Sequence, residues 1–271
     1  MDRKYIYPLV IIIVTVALYY ADDFLGEENI STSEISKTTN STSEEFDDTF
    51  LPASTTGAIV KHNYFTLSYS EENEQAEWVA YELKKSDLTK NEFERPYFIE
   101  DKKVKTKSAD WRNYKNSGYD RGHLCPAGDR RMSFEAYNET FLTSNISPQD
   151  HDFNAGIWNR LEQKVRYWAE KYDGVYIVTG GVLKENLKTI GDENVSVPNK
   201  FYKIIVDASG GNYKAVAFLI PNKPSSESFY EYAVSIDEIE ARTEIDFFPQ
   251  LPDSIENKLE QMVDLKAWGR K

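Results

Sequence analysis

The residues best placed to do chemistry fall in one run, Tyr119-Asp120-Arg121-Gly122-His123-Leu124-Cys125-Pro126. It sets an imidazole beside a guanidinium and a carboxylate, with a glycine that lets the backbone come close to a ligand. A histidine near neutral pKa takes a proton from water, and a guanidinium forks onto phosphate oxygens and holds the charge that develops there. The chemistry implied is that of phosphate esters. Taken alone, the same letters also fit a surface turn with an incidental ion pair, since short motifs match often by chance.

A second stretch narrows the choice: Ser144-Asn145-Ile146-Ser147-Pro148-Gln149, then Phe153-Asn154-Ala155-Gly156-Ile157-Trp158 and Leu161-Glu162. In order, gaps and residue types the two stretches together resemble the DNA/RNA non-specific endonucleases, the group that includes endonuclease G. The resemblance runs from about Phe65 to about Phe248, through Trp78-Val79-Ala80-Tyr81 and Ile245-Asp246-Phe247-Phe248. It implies an α+β fold, a central antiparallel or mixed sheet flanked by helices, with a ββα-metal active-site motif. It also implies roles. His123 would be the general base and Asn154 the metal ligand, for one hydrated Mg²⁺ or alternatively Mn²⁺. Glu162 would hold the ion's waters, Arg121 and Arg166 would neutralise phosphate, and Asp120 and Asn145 would orient the backbone and the imidazole. Contacts confined to phosphate predict cleavage of DNA and RNA with little sequence preference. Cys125 departs from the family, which usually has a small residue such as alanine there.

Two other classes fit the same letters. A catalytically inactive member of the fold would serve as an anchored nucleic-acid or envelope-binding module, because fold does not fix function. A metal phosphodiesterase for small esters would turn over bis-nitrophenyl phosphate but no polymer.

Several elements must position these groups. Tyr119 to Leu124 reads as a strand delivering His123, Glu135 to Phe141 as a short helix, and Leu142 to Ile146 as a second strand. From Asn154 to Tyr172, apolar residues at Ile157, Leu161, Val165, Trp168 and Tyr172 mark one helix face, with Asp150 or Asp152 to cap its start. At about 100° per residue, Asn154 falls on the side of Ile157, Leu161 and Val165, while Glu162 and Arg166 share the adjoining flank. A buried amide needs a partner, so Asn154 must bond protein, water or an ion.

Tyr64 to Tyr69 and Trp78 to Leu83 read as a hairpin, and Phe201 to Val206 pairs with Tyr213 to Ile220. Residues 84–118 form a long loop across the site, with Arg95 as a weaker substrate-contact candidate. Ser235 to Thr243 and Ser254 to Asp264 close the chain as helices. There is no phosphate-binding P-loop, dinucleotide fingerprint or Gly-x-Ser-x-Gly elbow.

The chain of 271 residues divides into three parts. In residues 1–21, Arg3 and Lys4 precede an apolar run from Tyr5 to Tyr20, the pattern of a signal-anchor or a signal peptide. That predicts an exported catalytic domain, held at the membrane or secreted. Residues 22–57, with nine acidic residues against Lys37 alone, read as a disordered Ser/Thr-rich tether. Residues 58–271 form the nuclease domain. A formal charge of −13 opposes nucleic-acid binding, but residues 101–131 hold nine Lys or Arg against four Asp, and the field at the cleft decides. The single cysteine excludes an internal disulfide, and no Cys/His spacing fits zinc. Oligomeric state, homodimer included, leaves no mark in the sequence.

Overall fold

Strand β3 (Gln75–Lys84) explains the architecture, because it is apolar on both sides. Val79, Tyr81 and Leu83 enter one core with Leu161, Val165 and Trp168, while Trp78 and Ala80 enter a second with Tyr202, Ile239 and Phe247. A strand with no polar face must lie in the middle of three layers.

The structure, a computed structural model, describes residues 48–184, 186–211 and 213–270. Its seven-stranded sheet runs in the order β1 (Ile59–Lys61), β2 (Thr66–Ser70), β3, β6 (Gly174–Gly181), β9 (Lys200–Asp207), β10 (Lys214–Pro221) and β11 (Ala233–Val234). Every pairing in it is antiparallel. A separate ribbon pairs β4 (Asp120–His123) with β5 (Ile146–Gln149), and β7 (Lys188–Ile190) pairs with β8 (Val195–Val197). Helix α1 (Phe134–Glu139) lies between the ribbon strands in sequence. Helix α2 (Asn159–Tyr172) covers one face of the sheet, and α3 (Ile236–Thr243) and α4 (Asp253–Gln261) cover the other.

Local chemistry sets the helix ends. The Ser133 hydroxyl accepts from Ala136 N, and that of Ser235 from Glu238 N, each satisfying a donor of the first turn. At the C-terminus, Trp268 is buried edge-on against Trp168, with ring centroids 4.9 Å apart. The Trp268 indole donates to Ala215 O at 3.1 Å, which ties the tail to β10.

Three sequence expectations change. The folded part begins before Gly57: Phe50 stacks on Tyr176 at 4.0 Å, Ala53 N donates to Asp246 O, and Trp78 donates to Ala53 O at 3.0 Å. Phe50, Leu51 and Pro52 at the end of the predicted tether are buried. The second ribbon strand starts only at Ile146, because residues 143–145 make a tight turn. The Asn145 amide holds that turn by bonding Cys125 and Thr140. The predicted single helix from Asn154 is two pieces, a wide π-helical turn over Phe153–Trp158 and then α2. The predicted membrane segment at residues 1–21, and the tether as far as residue 47, lie outside the described residues. No helix among the described residues is long and apolar enough to cross a membrane.

Candidate active site

The ribbon carries the motif. Arg121 and His123, two apart on β4, leave the same face, as strand alternation requires. Gly122 lies between them opposite Ser147, and a Cβ there would come within 2.1 Å of the Gln149 side chain. A larger residue here would have to push the buried Gln149 side chain aside. The chain then enters the helix through Asp150, whose carboxylate accepts from Asp152 N and Phe153 N at 3.0 Å.

The π-helical turn decides where Asn154 points. Gly156 leaves helical geometry there (φ −98°, ψ −107°), so the 100° count does not carry across the turn. Ile157, Leu161 and Val165 are fully buried, but Asn154 is only half-buried and faces the ribbon. Its Nδ2 donates to Asp120 Oδ2 at 2.9 Å. His151 Nδ1 meets the same oxygen at 3.0 Å. With the amide nitrogen committed to Asp120, the Asn154 carbonyl oxygen faces away from that carboxylate, with no hydrogen bond among the described residues. A neutral oxygen held in a fixed direction beside a carboxylate suits a hard cation such as Mg²⁺.

An open groove of about 590 Å³ borders this pair, lined among others by Arg95, Trp111, Lys115, Asp120, Arg121 and Asn154. The Arg121 guanidinium stacks over Phe98 at 4.8 Å and Trp111 at 5.7 Å, and Arg95 lies over Phe98 at 5.6 Å. Both cations keep their N–H edges available while their flat faces are supported.

His123 sits behind these arginines, packed at 5.0 Å edge-on to Phe141 and 5.5 Å from Phe98. Its Nε2 is buried and has no partner among the described residues. Burial, and then the charges of Arg95 and Arg121, hold its pKa down to about 3. The ring is therefore neutral at physiological pH and offers a lone pair.

The other predicted residues divide. Glu162 is half-buried on α2; burial pushes it up to about 7, against the pull of Lys203 and with the push of Asp129. Arg166 does not line the groove: its Nη1 pairs with Asp129 Oδ1 at 2.6 Å, and the other oxygen of Asp129 accepts from Tyr81 at 2.8 Å. Asn145 is fully buried and bonds only backbone, so it holds the end of β4 to the turn before β5. Cys125 is buried too, and burial pushes its thiol up to about 12, so it packs as a small apolar residue.

Motif reasoning missed Asp129, Lys203, His151 and Trp111. Lys203 had a signal: a lysine inside the apolar run Phe201 to Val206 is rarely buried without a purpose. It is 1% exposed, its ammonium lies 4.8 Å from the Trp158 ring, and it has no hydrogen bond among the described residues. The other three reach the site through turns with no periodicity to read.

Two antiparallel strands carrying an imidazole, followed by a helix entry carrying a carboxamide, define the ββα-metal unit within an α+β fold. Residues 43–254 match the family of the DNA/RNA non-specific endonucleases, and the chain belongs to it. It is similar to the mitochondrial nuclease EXOG of Danio rerio, 36% identical over 203 residues, 68% of this chain and 59% of that protein. A nuclease of Nostoc sp. is 34% identical over 223 residues, 76% of this chain and 78% of the other. Human mitochondrial endonuclease G is 31% identical over 205 residues, 69% and 68% of the two chains. The match takes in 59%, 44% and 58% of the EXOG proteins of Danio rerio, Xenopus laevis and Mus musculus, so the chain spans about half the length of those relatives. The crystal structure of an EndoG/EndoGI complex is similar with a TM-score of 0.72 at 28% identity, covering 80% of this chain and 96% of that one.

Proposed function

We propose that the protein is a divalent-metal-dependent endonuclease that hydrolyses phosphodiester bonds of DNA and RNA with little sequence preference. The observation that carries this reading is the Asp120–Asn154 bond at 2.9 Å, which leaves a directed carbonyl oxygen beside an arginine-lined groove. His123, whose ring burial and the charges of Arg95 and Arg121 keep neutral, takes the proton of the attacking water. Asn154 would hold the cation through Oδ1, and Glu162 would help to fix its position; a bound Mg²⁺ or Mn²⁺ would supply neutralisation of the charge that develops on the phosphate. Arg121 and Arg95 fork onto phosphate oxygens, while Arg166, paired with Asp129, supports the site from behind. Recognition through phosphate alone supports substrates of either sugar and any sequence.

The test is degradation of plasmid DNA and of RNA by the purified full chain, wild type beside His123→Ala, with Mg²⁺ and with EDTA. Wild type should cut both polymers only with metal, and the variant should bind without cutting while keeping the wild-type circular dichroism. Wild-type turnover in the variant would refute the assignment of His123; polymer binding without cleavage by wild type would favour an inactive binding module. We also propose export, with the catalytic domain outside the cytoplasm, supported by Arg3 and Lys4 ahead of the apolar run. N-terminal sequencing of the mature protein separates an anchored form from a secreted one.

A further inference from the structure

Four of the five tryptophans belong to the interior: Trp78, Trp158 and Trp168 are 0% exposed and Trp268 is 1% exposed. Three of these indoles donate to backbone carbonyls, and Trp158 packs among Phe153, Phe201 and Lys203. The fifth, Trp111, is half-buried and lines the arginine groove. Its indole makes no hydrogen bond among the described residues. A large amphipathic ring on a groove wall is the side chain that binding surfaces favour, because it offers much contact area for little conformational freedom.

The turn that carries Trp111 is fixed from both sides. Asp110 caps it by accepting from Arg112 N at 2.7 Å, and Asn113 Nδ2 donates to Asp110 O at 2.7 Å. Glu193, in the connection from β7 to β8, accepts from Asp110 N at 2.7 Å and from the Asn113 amide, and its own N–H donates to Asn113 Oδ1 at 3.1 Å. The ring is therefore held in place before any ligand arrives, which lowers the ordering cost of binding. Its nearest cations leave it uncovered: Arg112 and Arg121 each stand 5.7 Å from its centroid, farther than the 4.8 Å of Arg121 over Phe98. Tyr119 lines the same groove, also half-buried, with Lys188 Nζ 4.9 Å from its ring.

We propose that Trp111, with Tyr119 on the same groove, is a base-stacking subsite that selects strands with unpaired bases; this rests on the endonuclease reading above. A nucleotide whose phosphate sits on Arg121 reaches Trp111 with its own base through one sugar, given the 5.7 Å between guanidinium and ring. Exposed Lys115 on the same groove takes a further phosphate of the strand. Every base has a π-face, so stacking on an aromatic side chain adds affinity without reading sequence. A duplex keeps its bases in its own stack and paired, and must give up both to use the subsite. Stacking thus adds to phosphate recognition a preference for single-stranded DNA and unpaired RNA.

The test measures fluorescence anisotropy of labelled oligonucleotides bound by the full chain in EDTA, where nothing is cut. The probes are an oligothymidylate, a strand of equal length built from abasic tetrahydrofuran residues, and the oligothymidylate paired with oligoadenylate. Wild type should bind the base-bearing strand more tightly than the abasic one. Trp111→Ala should weaken binding of the base-bearing strand roughly 5- to 150-fold, the loss of one base–aromatic stack, and leave the abasic strand and the duplex nearly unchanged. Trp111→Leu keeps apolar packing without a π-face and should match alanine, while Trp111→Phe should retain most of the affinity; thermal unfolding checks that each variant is folded. Equal wild-type binding of base-bearing and abasic strands would overturn the proposal. So would a loss in Trp111→Ala and Trp111→Leu that is equal on all three probes, since the ring would then serve only to support Arg121. Plasmid cleavage with Mg²⁺ separates this from the reading it rests on. A wild type that discriminates bases yet cuts nothing sinks the endonuclease alone, and one that cuts while wild type and Trp111→Ala bind the base-bearing strand alike sinks the subsite alone.

Discussion

Replacing Asp120 by alanine is the sharpest test of how the candidate metal ligand is aimed. Asp120 makes no hydrogen bond to His123 among the described residues; it fixes the Asn154 amide through a charge-assisted bond of 2.9 Å. Hydrogen bonds to a charged group contribute about 1.5 to 3 kcal/mol. Without it, the Asn154 amide is free to turn over and present nitrogen instead of oxygen to the cation. At about 1.4 kcal/mol per factor of ten, the Mg²⁺ requirement should rise roughly 10- to 100-fold, the usual effect of losing a group that orients a metal ligand. The assay is initial rate of plasmid cleavage against Mg²⁺ concentration, with the maximum rate at saturating metal read separately. Asp120→Asn keeps an acceptor oxygen without its charge and should fall between wild type and alanine. His151→Ala is the control: its side chain is 75% exposed, and an exposed ion pair contributes little, so the Mg²⁺ midpoint should stay near wild type. If Asp120→Ala leaves both the midpoint and the maximum rate unchanged, Asn154 does not depend on Asp120 for its direction, and the reasoning fails.

Three further outcomes follow from the same contacts. The His123 base works deprotonated, and burial with Arg95 and Arg121 holds its pKa near 3, so the acid limb of kcat/KM should lie well below the ordinary 6.5. Arg95→Met removes a repelling cation and should move that limb upward in a pH profile of cleavage; an unmoved limb would deny the coupling. Asp129→Asn breaks a pair whose acid is 1% exposed and strands Arg166, at about 3 kcal/mol, the low end for a buried pair. Its Tm should fall by roughly 6 to 12 °C, and a fall under about 2 °C would show the pair to be dispensable. His62 and Asp101, 2.8 Å apart and both 2% exposed, make a pH-dependent contribution to stability. Burial acts to lower His62, but Asp101 and Glu139 outweigh it and the net is raised; burial acts to raise Asp101, but His62 and Ser144 prevail and the net is lowered. The histidine's share is thus complete below pH 6.5 and lost as pH rises through its folded value, and the aspartate's is complete above 3.8 and lost as pH falls through its own. The Tm gap between wild type and His62→Gln should be widest near about pH 5 and should narrow toward about pH 9; a gap that widened with pH would contradict the assigned directions.

The hairpin of β2 and β3, the pairing of β9 with β10 and the three longer helices were legible because each repeats apolar residues at its own period. The motif strand was legible for a different reason, the rarity of its residue types in that order. The turn at Phe153–Trp158 was not, because Ile157, Leu161 and Val165 keep a helical spacing while one extra residue per turn upstream swings Asn154 toward the ribbon. A period read from buried residues says nothing about a half-buried one on the far side of a kink. The tether's end misled through composition: acidic and hydroxyl residues dominate the stretch, yet Phe50 and Leu51 pack against β6, α4 and their neighbours, and Ser54, Thr55 and Thr56 bond Ser68, Glu77 and Tyr69. Partners were least visible. Asp129 and Lys203 lie 74 residues apart in number and meet around Glu162 only because β9 runs beneath α2.

The distribution of charge shows how a chain with a formal charge of −13 keeps a basic groove. All four aspartates of residues 101–131 are committed inside the protein or to a close neighbour. Asp101 accepts from His62 and Ser144, Asp110 from Arg112, Asp120 from Asn154 and Asp129 from Tyr81 and Arg166. Their negative ends are thereby offset at short range, where Coulomb energy is largest. Lys115 and Arg121 line the groove without a carboxylate partner among the described residues, so their fields reach solvent. The opposite separation operates across the sheet, where α3 and α4 gather acids and few cations. Fields screened within about 10 Å at ordinary ionic strength leave the two faces independent. Net charge therefore describes how the whole molecule behaves in solution, while the sign presented to a polyanion is set by which aspartates have already been turned inward.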